Sequence, residues 1–257
     1  MPTSSDTTDD LAAAAPAVGG KGSSDRGAKP VTRKRVPAEQ RREEVLRVAA
    51  EVIALDGMHA ASTASIAKAA GMSHAYLFRL FPTKEELLCA VAAENCRRIA
   101  KRMTEAGEAA ATAFDTGATP PDPDAASAIR EMLGKPEPAS PAEARREAIL
   151  GAMGVAWREL LTDRTLLQVN LQGISASSNS TAIGDVMRAG WEKVVLEIER
   201  ISGADANEAR GFVAQGTLLL VISGLGAEES DWATRLHHGP LPCAPDGPAT
   251  LDPPLSG

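Results

Sequence analysis

An all-α fold is what the sequence predicts, with a short three-helix head followed by a longer helical bundle, and three observations predict it. Runs rich in alanine and leucine place apolar residues at helical spacing rather than in alternation. Most runs open on Ser, Thr or Asp and close on glycine or proline. No strand pattern and no internal repeat interrupts them. At 257 residues, 44% hydrophobic and 3% aromatic, the chain can build one or two α-rich domains with a sizeable core.

Residues 1–36 are Ser, Thr, Asp, Gly, Ala and Pro with almost no large apolar side chain, so they cannot offset chain entropy and are expected to be a disordered tail. The first helix is expected from Pro37, whose missing N–H suits the first helical turn, with Val45, Ala49, Val52 and Ile53 on one face and Gly57 as its stop. Ser62 or Thr63 caps a second helix of about two turns through Ile66, ended by Gly71. Ser73 caps a third, ending near Phe81 before Pro82. Thr83-Lys84-Glu85-Glu86 reads as a capping box opening a long helix to roughly Ala111. Asp115 to Ser127, with Pro120, Pro121 and Pro123, is expected to be a loop.

Ser140-Pro141 with Glu143 opens a helix to about Leu161, and Asp163 opens another to about Ser175. From Thr181 the stripe Ile183, Met187, Gly190, Val194, Ile198 and Ile201 marks a helix ended by Gly203. Asp205 begins the next, where Phe212 to Leu225 is apolar almost all round and needs cover on both faces, the second cover being a partner subunit. Residues 239–257, with six prolines and three glycines, are expected to form a second disordered tail. The expected domains are thus a head over 37–83 and a bundle over 84–238.

Net charge is −7, unevenly spread. Residues 29–88 hold ten Lys and Arg against seven Asp and Glu, whereas residues 89–257 hold fifteen against twenty-three. The basic head can meet phosphates because charges farther than about 10 Å are largely screened at moderate salt. No apolar stretch approaches a membrane span and no secretion signal opens the chain, so a cytoplasmic location without membrane contact is expected.

Cys89, Cys96 and Cys243 form no C-x-x-C pair and no zinc spacing, which fits free thiols and no metal or other cofactor. Cys89 and Cys96 share a helix side but lie about 10.5 Å apart, too far for a disulfide. No nucleophile elbow, phosphate loop, dinucleotide fingerprint or His-Glu-x-x-His is present, and no catalytic residue is expected.

The segment Gly71 to Leu88, GMSHAYLFRLFPTKEELL, carries the function. Two short helices joined at Gly71-Met72-Ser73 within a three-helix head match a helix-turn-helix, whose second helix enters the major groove of double-stranded DNA. Glycine permits the left-handed turn, Ile66, Ala67, Leu77 and Phe81 supply a small core, and Ser73, His74, Ala75 and Tyr76 stand at the N-terminal end of the reading helix. Small residues there admit the backbone to the groove, and Tyr76 can meet a thymine methyl or a phosphate.

The run from Arg41 to Leu88 resembles the N-terminal domain of the tetracycline-repressor (TetR) family. The resemblance rests on Ala49-Ala50, Gly57, Ser62-Thr63, Ile66-Ala67, Ala70-Gly71-Met72-Ser73, Phe78-Arg79-Leu80-Phe81 and Lys84-Glu85-Glu86-Leu87, in order over about fifty residues. It implies phosphate or base contacts at Thr63, Ser73, Tyr76 and Lys84, with His74 and Ala75 at the groove. The tyrosine and histidine usual in the reading helix are Phe78 and Leu80 here, so Arg79 and Tyr76 are expected to compensate. Arg33, Lys34 and Arg35 form either a DNA-following arm or a solubilising tail.

For the bundle, the resemblance implies a small-molecule pocket and dimerisation through the last long helices. The pocket candidates are Met103, Met153, Trp157, Gln168, Asn170, Gln172, Met187 and Trp191, which combine apolar walls with a few polar groups. The interface candidates are Phe212, Gly216, Leu219 and Leu220. The expectation is a homodimeric repressor that a small-molecule effector releases from a palindromic operator, the helix from Lys84 acting as lever. The alternatives are a ligand-independent dimeric or architectural DNA binder, and a thiol-based redox regulator.

Overall fold

The computed structural model describes residues 38–119, 122 and 124–238, and among them it holds ten helices and no strand. The head comprises α1 (Ala38–Asp56), α2 (Thr63–Ala69) and α3 (His74–Leu80). The body comprises α4 (Lys84–Thr116), α5 (Ala125–Met132), α6 (Pro141–Thr162), α7 (Arg164–Ala176), α8 (Thr181–Ser202), α9 (Ala206–Leu225) and α10 (Asp231–His238). Arg33, Lys34 and Arg35, both expected tails and Cys243 lie outside the described residues. No described helix is long and apolar enough to cross a membrane.

Helix starts follow local chemistry. Ser62, Ser73, Thr83, Ser140, Asp163, Ser180 and Asp205 each accept a backbone N–H of the first turn that would otherwise lack a partner. At α2 the cap is Ser62 rather than Thr63. At α4, Thr83 accepts from Glu86 N at 3.0 Å, the forward half of the expected box, whereas the reciprocal box forms at α9 between Asp205 and Glu208.

Two expectations for the middle of the chain need correction. The long helix does not stop near Ala111 but runs to Thr116, where Gly117 closes it in the left-handed conformation. The stretch expected to be a loop as far as Ser127 already contains the start of α5. That short helix is held by docking on α6 at Gly151, where an added Cβ would stand 2.4 Å from the Ala125 carbonyl oxygen.

The core has two main parts. The first joins the head to the body, with Val45, Ile53, Ile66, Leu77 and Phe81 packed together with Leu87 of α4, Val169 of α7 and Ile183 and Met187 of α8. The second fills the bundle, where Met103, Ile149, Leu150 and Met153 are buried. Burying each such side chain contributes about 1.5–3 kcal/mol. Because the first cluster runs through α7 and α8, head and body share packing rather than meeting through a linker.

Candidate functional site

The head presents α3 outward. Gly71 takes φ +63° in the turn after α2, and Met72 N donates to Ala67 O at 3.0 Å, so the chain reverses within four residues. Ser73 Oγ then accepts from Tyr76 N at 3.2 Å and starts α3. Leu77 is the buried residue of that helix and anchors it, while Ser73, His74, Ala75, Phe78 and Arg79 are exposed.

Several residues expected at DNA are tied to one another. Thr63 Oγ1 and His74 Nε2 lie 2.8 Å apart, linking the first residues of α2 and α3. The His74 ring meets Phe78 edge-on at 4.7 Å between centroids. The Arg79 guanidinium lies 4.7 Å from the centre of the half-buried Tyr76 ring, a cation–π pair. Arg42 Nη1 donates to Leu80 O at 3.0 Å, and its guanidinium covers the Phe81 ring at 4.2 Å, pinning the end of α3 to α1. Lys84 Nζ donates to His59 O at 2.7 Å, tying the start of α4 to the loop between α1 and α2.

One of three further contacts crosses from head to body, and the other two tie α4 to its neighbours within the body. Met58 N donates to Gln172 Oε1 at 3.3 Å, Ser180 Oγ donates to Glu85 Oε1 at 2.8 Å, and Asn95 Nδ2 donates to Leu166 O at 3.3 Å. Gln172 therefore stands against Gly57 and Met58 of the head and not among the pocket residues with which it was grouped.

A cavity of about 40 Å³ lies among α4, α6, α7, α8 and α9, with Met103, Trp157, Asn170 and Trp191 in its walls. Trp157 Nε1 donates to Gly216 O at 2.9 Å, which fixes the indole against α9. Asn170 is 1% exposed, and neither Nδ2 nor Oδ1 has a partner within the protein. Leaving such a buried group unpaired costs about 1–3 kcal/mol, so Asn170 is a point of unmet hydrogen bonding beside this cavity.

The other pocket candidates are placed elsewhere. Met153 is core packed over Gly107, Met187 packs on Gly173 with its sulfur 3.9 Å from Cys96 Sγ, and Gln168 is half-buried outside the cavity lining. The structure adds Cys96, Ile99 and Gly190 to the walls. Cys96 and Ile99 continue the Met103 face of α4 at helical spacing, a signal present in the sequence.

The interface candidates also turn inward. Phe212 and Leu220 are 6% and 1% exposed within the single chain, Phe212 and Gly216 line the cavity, and Leu219 is half-buried. Burial pushes the Cys96 thiol above its ordinary pKa, and burial with the charges of Glu85 and Glu86 does the same at Cys89. Both are therefore held as protonated thiols, the weakly nucleophilic form.

Two short helices joined by a tight glycine turn, with the second exposed along its N-terminal end, define a helix-turn-helix DNA-binding protein. Residues 45–91 match the model for bacterial regulatory proteins of the tetR family, so the head is a DNA-binding domain of the kind those transcriptional regulators carry. Among solved structures it is similar to a candidate transcriptional regulator of Pseudomonas aeruginosa PAO1, with 19% identity and a TM-score of 0.51, over 77% of this chain and 84% of the other. It is also similar to GusR of Salmonella enterica, with 19% identity and a TM-score of 0.48, over 79% and 94% of the two chains. No curated protein sequence matches the chain.

Proposed function

We propose that this regulator is a homodimeric repressor, that its two heads read a palindromic operator, and that a small molecule held against Asn170 releases it. The observation that carries the ligand reading is the unpartnered carboxamide of Asn170 inside an apolar cavity, on the same helix whose Gln172 grips the head. A molecule that binds this cavity better when the heads are displaced lowers operator affinity by linkage.

At the DNA, Ser73, His74 and Ala75 meet the groove floor, and exposed Phe78 offers an apolar edge to a thymine methyl. Tyr76, with Arg79 stacked on it, supplies the phosphate contact that Phe78 and Leu80 lack. Lys84 spends one donor on His59 and retains two for phosphate. Thr63 serves through its bond to His74.

Dimerisation uses the outward side of α9 with α8. Val221 and Leu225 are 44% and 68% exposed, Ala214 and Thr217 share their stripe, and Leu196 of α8 is 55% exposed. Two such heads read half-sites about 34–36 Å apart.

Selection of bound DNA from a random pool tests this reading, followed by a reporter with the recovered site placed across a promoter. Recovery of an inverted repeat and a fall in expression are expected. A recovered single half-site removes the homodimer, and a rise in expression removes repression.

A further inference from the structure

A second cavity, of about 150 Å³, adjoins the first, and Trp157, Phe212 and Gly216 line both. Its other walls come from α5 and from Gly151 and Gly154 of α6. Gln215 stands in its lining at 2% exposure, and neither Nε2 nor Oε1 of its carboxamide has a partner within the protein. A buried, unpaired carboxamide thus recurs on the far wall of the same tryptophan that closes the Asn170 cavity.

We propose that this α5–α6–α9 cavity is a second small-molecule site, for a neutral single-ring molecule whose carboxamide, lactam or imide edge pairs with Gln215. The chemistry follows from the side chain. A carboxamide offers a donor and an acceptor side by side, and another amide edge offers the same pair reversed. A carboxylate satisfies the N–H group and sets its negative charge against the carbonyl oxygen, and a hydrocarbon satisfies neither. The charged residues of the lining, Glu131 and Arg158, are exposed and opposite in sign, so the cavity carries no net attraction for an ion. The size follows from the volume, since an apolar cavity of about 150 Å³ accommodates benzene.

Small residues make the space. An added Cβ at Gly154 meets only the Phe212 ring, at 3.8 Å, so a larger side chain there grows into the cavity. Trp157 sits between this cavity and the Asn170 cavity, held by its bond to Gly216 O, so a molecule on one side fixes the wall of the other. That coupling rests on the effector pocket proposed above, whereas the Gln215 site stands without it.

Calorimetric titration and thermal melting of the full chain test the site, with benzamide as probe and benzoate and toluene as controls. Benzamide is expected to bind saturably at millimolar concentration and raise the melting midpoint, with each control at least about tenfold weaker. Gln215→Leu and Gly154→Leu each weaken benzamide by about tenfold or more, whereas Asn170→Leu leaves it in place. Gln215→Leu also raises the midpoint of the ligand-free protein, because it removes two unpaired polar atoms from an apolar setting.

The proposal is overturned if wild-type protein shows no saturable benzamide binding, if benzoate binds equally, or if Asn170→Leu abolishes binding while Gln215→Leu retains it. A lower ligand-free midpoint for Gln215→Leu would also overturn it, since the carboxamide would then be satisfied without a ligand. Loss through Asn170→Leu alone would leave the effector pocket standing and remove only the second site.

Discussion

At the scale of single residues, the reading head holds its polar groups in pairs before any DNA arrives. Thr63 and His74 bridge two helices, His74 leans on Phe78, and Arg79 stacks on Tyr76. Pairing limits the rotamers available to groups that must meet bases or phosphates, so less side-chain freedom is lost on binding. Thr63→Val separates this ordering from fold stability, because it preserves shape and removes only the hydroxyl. The lost bond is exposed, so unfolding stability should fall by no more than about 1 kcal/mol. Operator affinity should fall by about threefold to tenfold, and affinity for random DNA by less, since the freed ring serves base reading. Urea unfolding and fluorescence anisotropy on the two DNAs measure both quantities. Equal losses on operator and random DNA would reduce His74 to a positioning group.

At the scale of elements, α7 stands between pocket and head. Asn170 and Gln172 are two residues apart, about 200° around the helix, so one meets the cavity while the other reaches Met58. The helix α4 makes the same connection along its length, with Lys84 at His59, Glu85 at Ser180, and Cys96 and Met103 at the cavity. Gln172→Leu tests how far the coupling runs through α7. It should reduce the ligand-dependent change in operator binding by about 0.5–1.5 kcal/mol, the net worth of the bond, measured as operator affinity with and without ligand. An unchanged response would leave the coupling to α4. Most helix starts were legible in the sequence because a cap acts over three residues, as at Ser73, Ser140 and Asp205. The helix α5 was not legible, since proline-rich sequence precedes it and its support is the bare backbone at Gly151, far along the chain. Residue type groups Gln172 with the pocket, whereas its partner lies 114 positions away, beyond any local pattern. Within the pocket, Trp157, Asn170 and Trp191 could be picked out by residue type, but type alone did not separate Met103, which lines the cavity, from Met153, which fills the core.

At the scale of the whole molecule, the apolar helix α9 has an inward and an outward face. Its sequence is apolar nearly all round, so no polar stripe distinguished the side turned to its own bundle from the side left open. The structure separates them, with Phe212 and Leu220 turned inward and Val221 and Leu225 turned outward. The two sides predict opposite consequences for substitution. Phe212→Ala empties core volume and should lower unfolding stability by about 3–5 kcal/mol. Replacing Val221 and Leu225 together by glutamate should leave the fold of each chain intact, because both side chains are already in water, and should prevent two copies from closing over an apolar seam. Operator affinity then falls steeply with no head residue altered, because the second half-site no longer benefits from the high effective concentration that a dimer provides. Light scattering and anisotropy on the operator follow the two effects together. A double variant that remains dimeric would move the interface off this face of α9. One that becomes monomeric yet keeps full operator affinity would show that each head binds its half-site alone, and the operator would then need no symmetry.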